Sequence, residues 1–220
     1  MARRVGCYGC HGDDLAGKKL WGEPGKFQLW SANITEHIGH YDDAAFERLL
    51  RTGKTHHGQR PLGMPILMYQ YLSDREVRDI TAAMRAAPKV ANPKLKRSWM
   101  TPAMRKEMEG YGDDRGDPVA AGAPKEPPRA GLALGRHLAM TSCQECHGPD
   151  LNGFGGEEAP PLIVAKGYSA EQFRRLMRTG ITAQGTESKS GLMSSISRER
   201  LAPTLSDADI DAMKAFLDAR

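Results

Sequence analysis

Four cysteines occur among 220 residues, in two identically spaced pairs, each followed directly by a histidine: Cys7-Tyr8-Gly9-Cys10-His11 and Cys143-Gln144-Glu145-Cys146-His147. This pentapeptide suits covalent attachment of a c-type haem. Each thiol bonds to one former vinyl group of the porphyrin, and the histidine sits under the iron as its proximal ligand. Both copies continue as Gly-x-Asp-Leu-x-Gly, through Gly17 and Gly153. Other cysteine chemistries fit less well. A four-cysteine zinc site wants its pairs about 15–20 residues apart, whereas 132 residues separate Cys10 from Cys143. A thioredoxin-like redox pair needs a surrounding βαβ pattern, and strand-like alternation is not evident. Structural disulfides would leave both histidines unexplained.

The sixth iron ligand decides the chemistry. A five-coordinate haem can bind and activate small molecules, whereas methionine on the far side suits electron transfer and raises the potential. That methionine must arrive on a loop after the central helices and before the last one. In the second half Met193, in Gly191-Leu192-Met193, fills this window; Met140, Met177 and Met213 lie on helical apolar faces. In the first half the window holds Met64 and Met68. Met64 is the choice, because Pro65 stiffens the loop beside it, with Met68, His56 and His57 as alternatives. The expected ligand set is therefore His11 with Met64 and His147 with Met193. Two haems c are expected, bound through Cys7, Cys10, Cys143 and Cys146.

The elements around these residues repeat in the same order. Phe46 through Arg51-Thr52-Gly53 matches Phe173 through Arg178-Thr179-Gly180, and Leu72-Ser73-Asp74 matches Leu205-Ser206-Asp207. Each half thus reads as one complete unit: residues 1–88, a Pro/Gly-rich linker 89–128, and residues 129–220. In the first unit a helix is expected over 42–51, with Phe46, Leu49 and Leu50 on one face. The last helix starts at Ser73 with Glu76 completing a capping box. In the linker, a short helix over 102–109 carries Met104 and Met108, which continue the spacing of Met100. In the second unit helices are expected over 131–140, 169–178 and from Ser206 onward. Residues 1–6 leave little room for a counterpart of the 131–140 helix, so the first unit's N-terminal helix is expected to be truncated. The fold class is all-α, two tandem domains.

These residues resemble tandem class I cytochrome c domains. In the first unit Asn33-Ile34-Thr35, Ile38-Gly39, Arg51-Thr52-Gly53, Gly58-Gln59-Arg60-Pro61-Leu62 and Met64-Pro65 resemble the cytochrome c subunits of bacterial membrane-bound alcohol and sugar dehydrogenases. Gly191-Leu192-Met193 and Leu205-Ser206-Asp207 resemble related single-haem domains. The resemblance implies His/Met haems in all-α domains and electrons passed from a dehydrogenase toward quinone or an oxidase. Those subunits usually carry three haem motifs, against two here. The family also uses a proline carbonyl to accept the proximal histidine's N–H. Pro160 or Pro161 can do so in the second unit, whereas Ser31-Ala32-Asn33 stands at that place in the first.

Composition narrows the function further. Hydrophobic residues make up 40% and aromatics 6% of the chain, so units of about 85 residues have marginal cores without a central apolar body. The haem-free chain is expected to be largely unfolded by circular dichroism. The formal charge of +4 is concentrated in the first 100 residues, which suits docking on an acidic redox partner. No basic run with interleaved aromatics favours nucleic acid, and no stretch of about 20 apolar residues spans a membrane. No signal peptide is visible, although haem c is normally attached outside the cytoplasmic membrane, so a processed or N-terminally incomplete chain of periplasmic or other extracytoplasmic location is expected. The function expected is electron transfer rather than catalysis, as a dihaem cytochrome or the haem subunit of a redox complex. Its partners would be a dehydrogenase, a quinol-oxidising complex or a terminal oxidase. The alternative is a dihaem enzyme with one open haem, such as a peroxidase or a thiosulfate-oxidising cytochrome.

Overall fold

A computed structural model describes residues 1–58, 60–108, 124–153 and 159–220. The chain forms two compact units. One comprises Ala2 and Gly6–Ala123; the other comprises Met1, Arg3–Val5 and Pro124–Arg220.

The first unit opens with α1 (Cys7–His11) and continues through α2 (Ile34–His37) and a 3-10 turn, Ile38–His40, to α3 (Asp43–Thr52). The Asp42 side chain caps α3 by accepting the Ala45 N–H at 2.7 Å. The short α4 (Ile66–Tyr69) leads into α5 (Asp74–Ala86), which starts with the expected capping box of Ser73 and Glu76. Phe46, Leu49 and Leu50 of α3 are buried, as are Val77, Ile80 and Met84 of α5. α3 and α5 pack together, so these stripes form the core that carries the loop between them.

The chain is largely helical, but the first unit also holds a three-stranded antiparallel sheet, β1 (Lys19–Glu23), β2 (Phe27–Trp30) and β3 (Trp99–Met100). This corrects the all-α expectation. The strands are two to five residues long and the β1–β2 register slips between Lys19 and Gly22, so no sustained alternation marks them in the sequence. β3 lies within the 89–128 segment expected as linker. Val90 accepts from the Asn33 amide at 2.8 Å, and Asn92 donates to the carbonyls of Ala16 at 3.0 Å and Gly17 at 2.9 Å. Ser98 both donates to and accepts from the Trp30 backbone. The Pro- and Asn-containing stretch is thus an extended strap, whose Asn92 and Ser98 side chains satisfy backbone groups of Ala16, Gly17 and Trp30. It leads to α6 (Pro102–Met108), with Met100 and Met104 half-buried. The Met108 side chain and residues 109–123 of the expected linker lie outside the described residues.

The second unit consists of α7 (Gly131–Met140), α8 (Gln144–His147), a 3-10 turn Leu162–Gly167, α9 (Ala170–Thr179), α10 (Leu192–Ile196), a π-helical turn Ser197–Leu201 and α11 (Asp207–Ala219). Ser169 with Gln172 and Ser206 with Asp209 form capping boxes on α9 and α11. α7 packs along α11 at a distance set by Gly135, where an added Cβ would lie 1.9 Å from the Ala212 carbonyl oxygen. Ile210, Met213 and Leu217 complete the buried face of α11.

Candidate haem-attachment sites

In each Cys-x-x-Cys-His segment a single helical turn places the two cysteines and the histidine at i, i+3 and i+4, hence on one face. Cys10 donates to the Gly6 carbonyl at 3.1 Å, and His147 to that of Cys143 at 2.9 Å. No disulfide joins the four cysteines. Desolvation pushes the Cys143 thiol up to about 12, against the opposing pull of the Arg200 and Arg4 guanidiniums.

The loops that follow match bond for bond. Leu15 and Leu151, both buried, adopt left-handed φ of 58° and 61°. Their N–H groups donate to Gly12 and Gly148, each at 3.0 Å, and their carbonyls accept from Ile34 at 2.9 Å and Leu162 at 2.8 Å. Gly17 and Gly153 donate back to the His11 and His147 carbonyls at 2.9 and 2.7 Å. A Cβ on Gly17 would meet the Ser31 carbonyl oxygen at 2.7 Å, and one on Gly153 that of Ala159 at 2.6 Å. The last glycine of Gly-x-Asp-Leu-x-Gly therefore lets each loop lie against the segment beside its histidine's acceptor.

Each histidine ring is fixed by one backbone carbonyl. His11 Nδ1–H donates to Ala32 and His147 Nδ1–H to Pro160, both at 2.8 Å. A carbonyl can only accept, so the proton resides on Nδ1 and the Nε2 lone pair is left for a metal. Burial keeps both rings below the ordinary histidine range, although the carbonyl bonds pull upward. Of the two prolines considered for the second unit, Pro160 provides the contact. In the first unit Ala32 does so without proline, because any residue's carbonyl can fill this role. Two cysteines, one neutral histidine with Nε2 presented and a glycine-tight loop fit a covalently attached haem in each unit.

The methionines of the two distal windows are half-buried, whereas Met68, Met84, Met140, Met177 and Met213 are buried. Met193 lies in the first turn of α10. The next residue, Ser194, donates to the Gly180 carbonyl at 2.6 Å and accepts from Ser188 N–H at 2.8 Å, which fixes the backbone beside it. The Met64 carbonyl accepts from Ile66 at 2.8 Å at the entry to α4. His56 and His57 are exposed and stack on one another at 3.8 Å.

The repeated Arg-Thr-Gly and Leu-Ser-Asp motifs are joined in space, a role not visible in the sequence. Arg51 donates to the Leu72 carbonyl and pairs with Asp74 at 3.0 Å. Arg178 donates to the Leu205 carbonyl at 2.7 Å and pairs with Asp207 at 2.6 Å. Each arginine thus clamps α3 or α9 to the start of the last helix, closing both ends of the methionine-bearing segment. A further cluster in the second unit also escaped sequence reasoning. Arg200, 8% exposed, donates to the Arg4 carbonyl at 2.6 Å and pairs with Glu145 at 2.7 Å, while Arg4 donates to Thr141 and Ser142.

The family model for cytochrome c matches residues 132–219. Residues 132–219 are thus similar to a cytochrome c domain, which supports covalently bound haem c, haem-based electron transfer and redox partners in general. No curated protein sequence matches the chain. Among the described residues no helix is long and apolar enough to cross a membrane.

Proposed function

We propose that the chain is a dihaem electron carrier, with one haem c per unit. In this reading the haems attach through Cys7 and Cys10 and through Cys143 and Cys146, with His11/Met64 and His147/Met193 as axial ligands. The observation that carries it is the matched pair of histidines, each with Nδ1 engaged by a carbonyl at 2.8 Å. The second of these lies in a matched cytochrome c domain, and the loop around the first repeats its hydrogen bonds one by one. Bound haem supplies a one-electron ferric/ferrous couple. The chain's work is to hold that couple at a set potential. His11 and His147 present Nε2 in a fixed orientation, and their carbonyl partners raise the basicity of the ring. Met64 and Met193 would close the far side on segments held at both ends by the arginine clamps. The proposed setting is the periplasm or another extracytoplasmic space. There the chain would pass electrons between a dehydrogenase and a quinol-oxidising complex or terminal oxidase, alone or as a haem subunit of such a complex. Haem stoichiometry, carbon monoxide binding and the near-infrared methionine-to-iron band test this. Two low-spin His/Met haems per chain are expected. One haem, or rapid carbon monoxide binding to a ferrous haem without ligand displacement, would overturn it.

A further inference from the structure

Of the seven histidines, His11 and His147 belong to the attachment segments and His137 is buried. The other four gather on the surface of the first unit. His37 ends α2, His40 ends the 3-10 turn, and His56 and His57 lie on the turn after α3. Ring centroids are 5.7 Å apart for His37 and His40, 5.4 Å for His40 and His56, and 3.8 Å for His56 and His57. Tyr41 ties the two segments together: its ring stands edge-on to His56 at 4.9 Å and its hydroxyl accepts the His56 backbone N–H at 3.3 Å.

We propose that His37, His40, His56 and His57 form a surface site for a divalent transition metal ion, with His40 at its centre. Imidazole suits zinc, copper and nickel rather than magnesium or calcium. A zinc–nitrogen bond of about 2.0–2.1 Å puts two imidazole centroids on one tetrahedral ion roughly 5 Å apart. The His37–His40 and His40–His56 separations are close to that. Among the described residues no three donors already surround a single point, so the rings must turn to close on an ion. All four are exposed, and exposed side chains change rotamer in about picoseconds to nanoseconds. In the haem-loaded chain, on the two-haem reading above, the thiols are thioethers and His11 and His147 are iron ligands. These four rings are then the exposed imidazoles left for an added ion.

Zinc titrated calorimetrically into the ferric, haem-loaded chain near neutral pH tests the site. One zinc per chain is expected, with affinity falling by at least roughly tenfold in His40→Ala and in His56→Ala, and with no change in the haem spectrum. Absence of saturable binding, or binding that both variants leave intact, would overturn the proposal, as would zinc uptake that alters the Soret band. Haem stoichiometry measured on the same samples separates the two claims. Two haems without zinc binding refutes the metal site alone. Zinc binding that depends on His40 in a one-haem chain supports the site and refutes the two-haem reading.

Discussion

The Arg200 guanidinium meets the Glu145 carboxylate at 2.7 Å, between the two cysteines of the second attachment segment. Aligned on the repeated Leu-Ser-Asp motifs, Arg200 corresponds to Leu67 in the first unit; aligned on the Cys-x-x-Cys-His segments, Glu145 corresponds to Gly9. The charged pair, and the Arg4 guanidinium beside it, therefore distinguish the second site from the first. Removing one partner of a largely buried pair strands the other charge.

Arg200→Met should accordingly destabilise the second unit by about 2 kcal/mol or more, read by chemical denaturation. The paired variant Arg200→Met/Glu145→Gln should recover part of that loss. On the two-haem reading proposed above, losing a cation beside Cys143 and Cys146 should also lower the second haem's reduction potential and leave the first haem's unchanged. Potentiometry resolving the two haems checks this, and equal movement of both would count against a local electrostatic effect.

Gly135 sits where α7 crosses α11, with no room for a Cβ against Ala212. Gly135→Val should force the helices apart and cost about 3 kcal/mol or more, as overpacked cores do. On the two-haem reading, thermal unfolding should show an early transition confined to the absorbance of the haem in the second unit. A single unchanged transition would mean that the crossing is not needed for this unit's stability.

Much of the helical framework was legible because its signals are local. Ser73 with Glu76, and the stripe of Phe46, Leu49 and Leu50, mark helix starts and faces within a few residues. The local hydrogen bonds of the two Cys-x-x-Cys-His segments follow from their repeated sequence for the same reason. The sheet and the strap were not, because Asn92 finds the Ala16 carbonyl 76 residues away and Asn33 finds that of Val90 57 residues away. No periodicity encodes such partners. Ala32 as proximal acceptor was hidden for another reason: it contributes a backbone atom that every residue has. The Arg51 and Arg178 clamps lie between these cases, since the repeated motifs were visible but their meeting in space was not.

The matched glycines allow a paired test of the two proximal contacts. Gly17→Ala should displace the segment bearing the Ala32 carbonyl, and Gly153→Ala the segment bearing that of Pro160, because each Cβ would fall on backbone and each φ is positive. A weakened Nδ1–H bond makes the histidine a poorer donor to iron. On the two-haem reading, each variant should therefore raise the potential of the haem in its own unit and leave the other in place. Movement of both haems by either variant would show that the loops are not independent supports.

The histidine cluster gives the first unit a pH dependence of defined sign. His56 titrates below its ordinary value of 6.5 because of desolvation, and then because of His57, His40 and His37. Between 6.5 and the lowered folded value, the unfolded chain binds more protons than the folded one. Stability from this source is complete above about pH 6.5 and is lost as pH falls through that window. The denaturation midpoint of the first unit should therefore fall between about pH 7.5 and pH 5.5, and His57→Gln should flatten that fall by removing the nearest like charge. Nuclear magnetic resonance titration of His56 should show the same substitution moving its midpoint upward. A midpoint at or above 6.5 in the unsubstituted chain would refute the coupling.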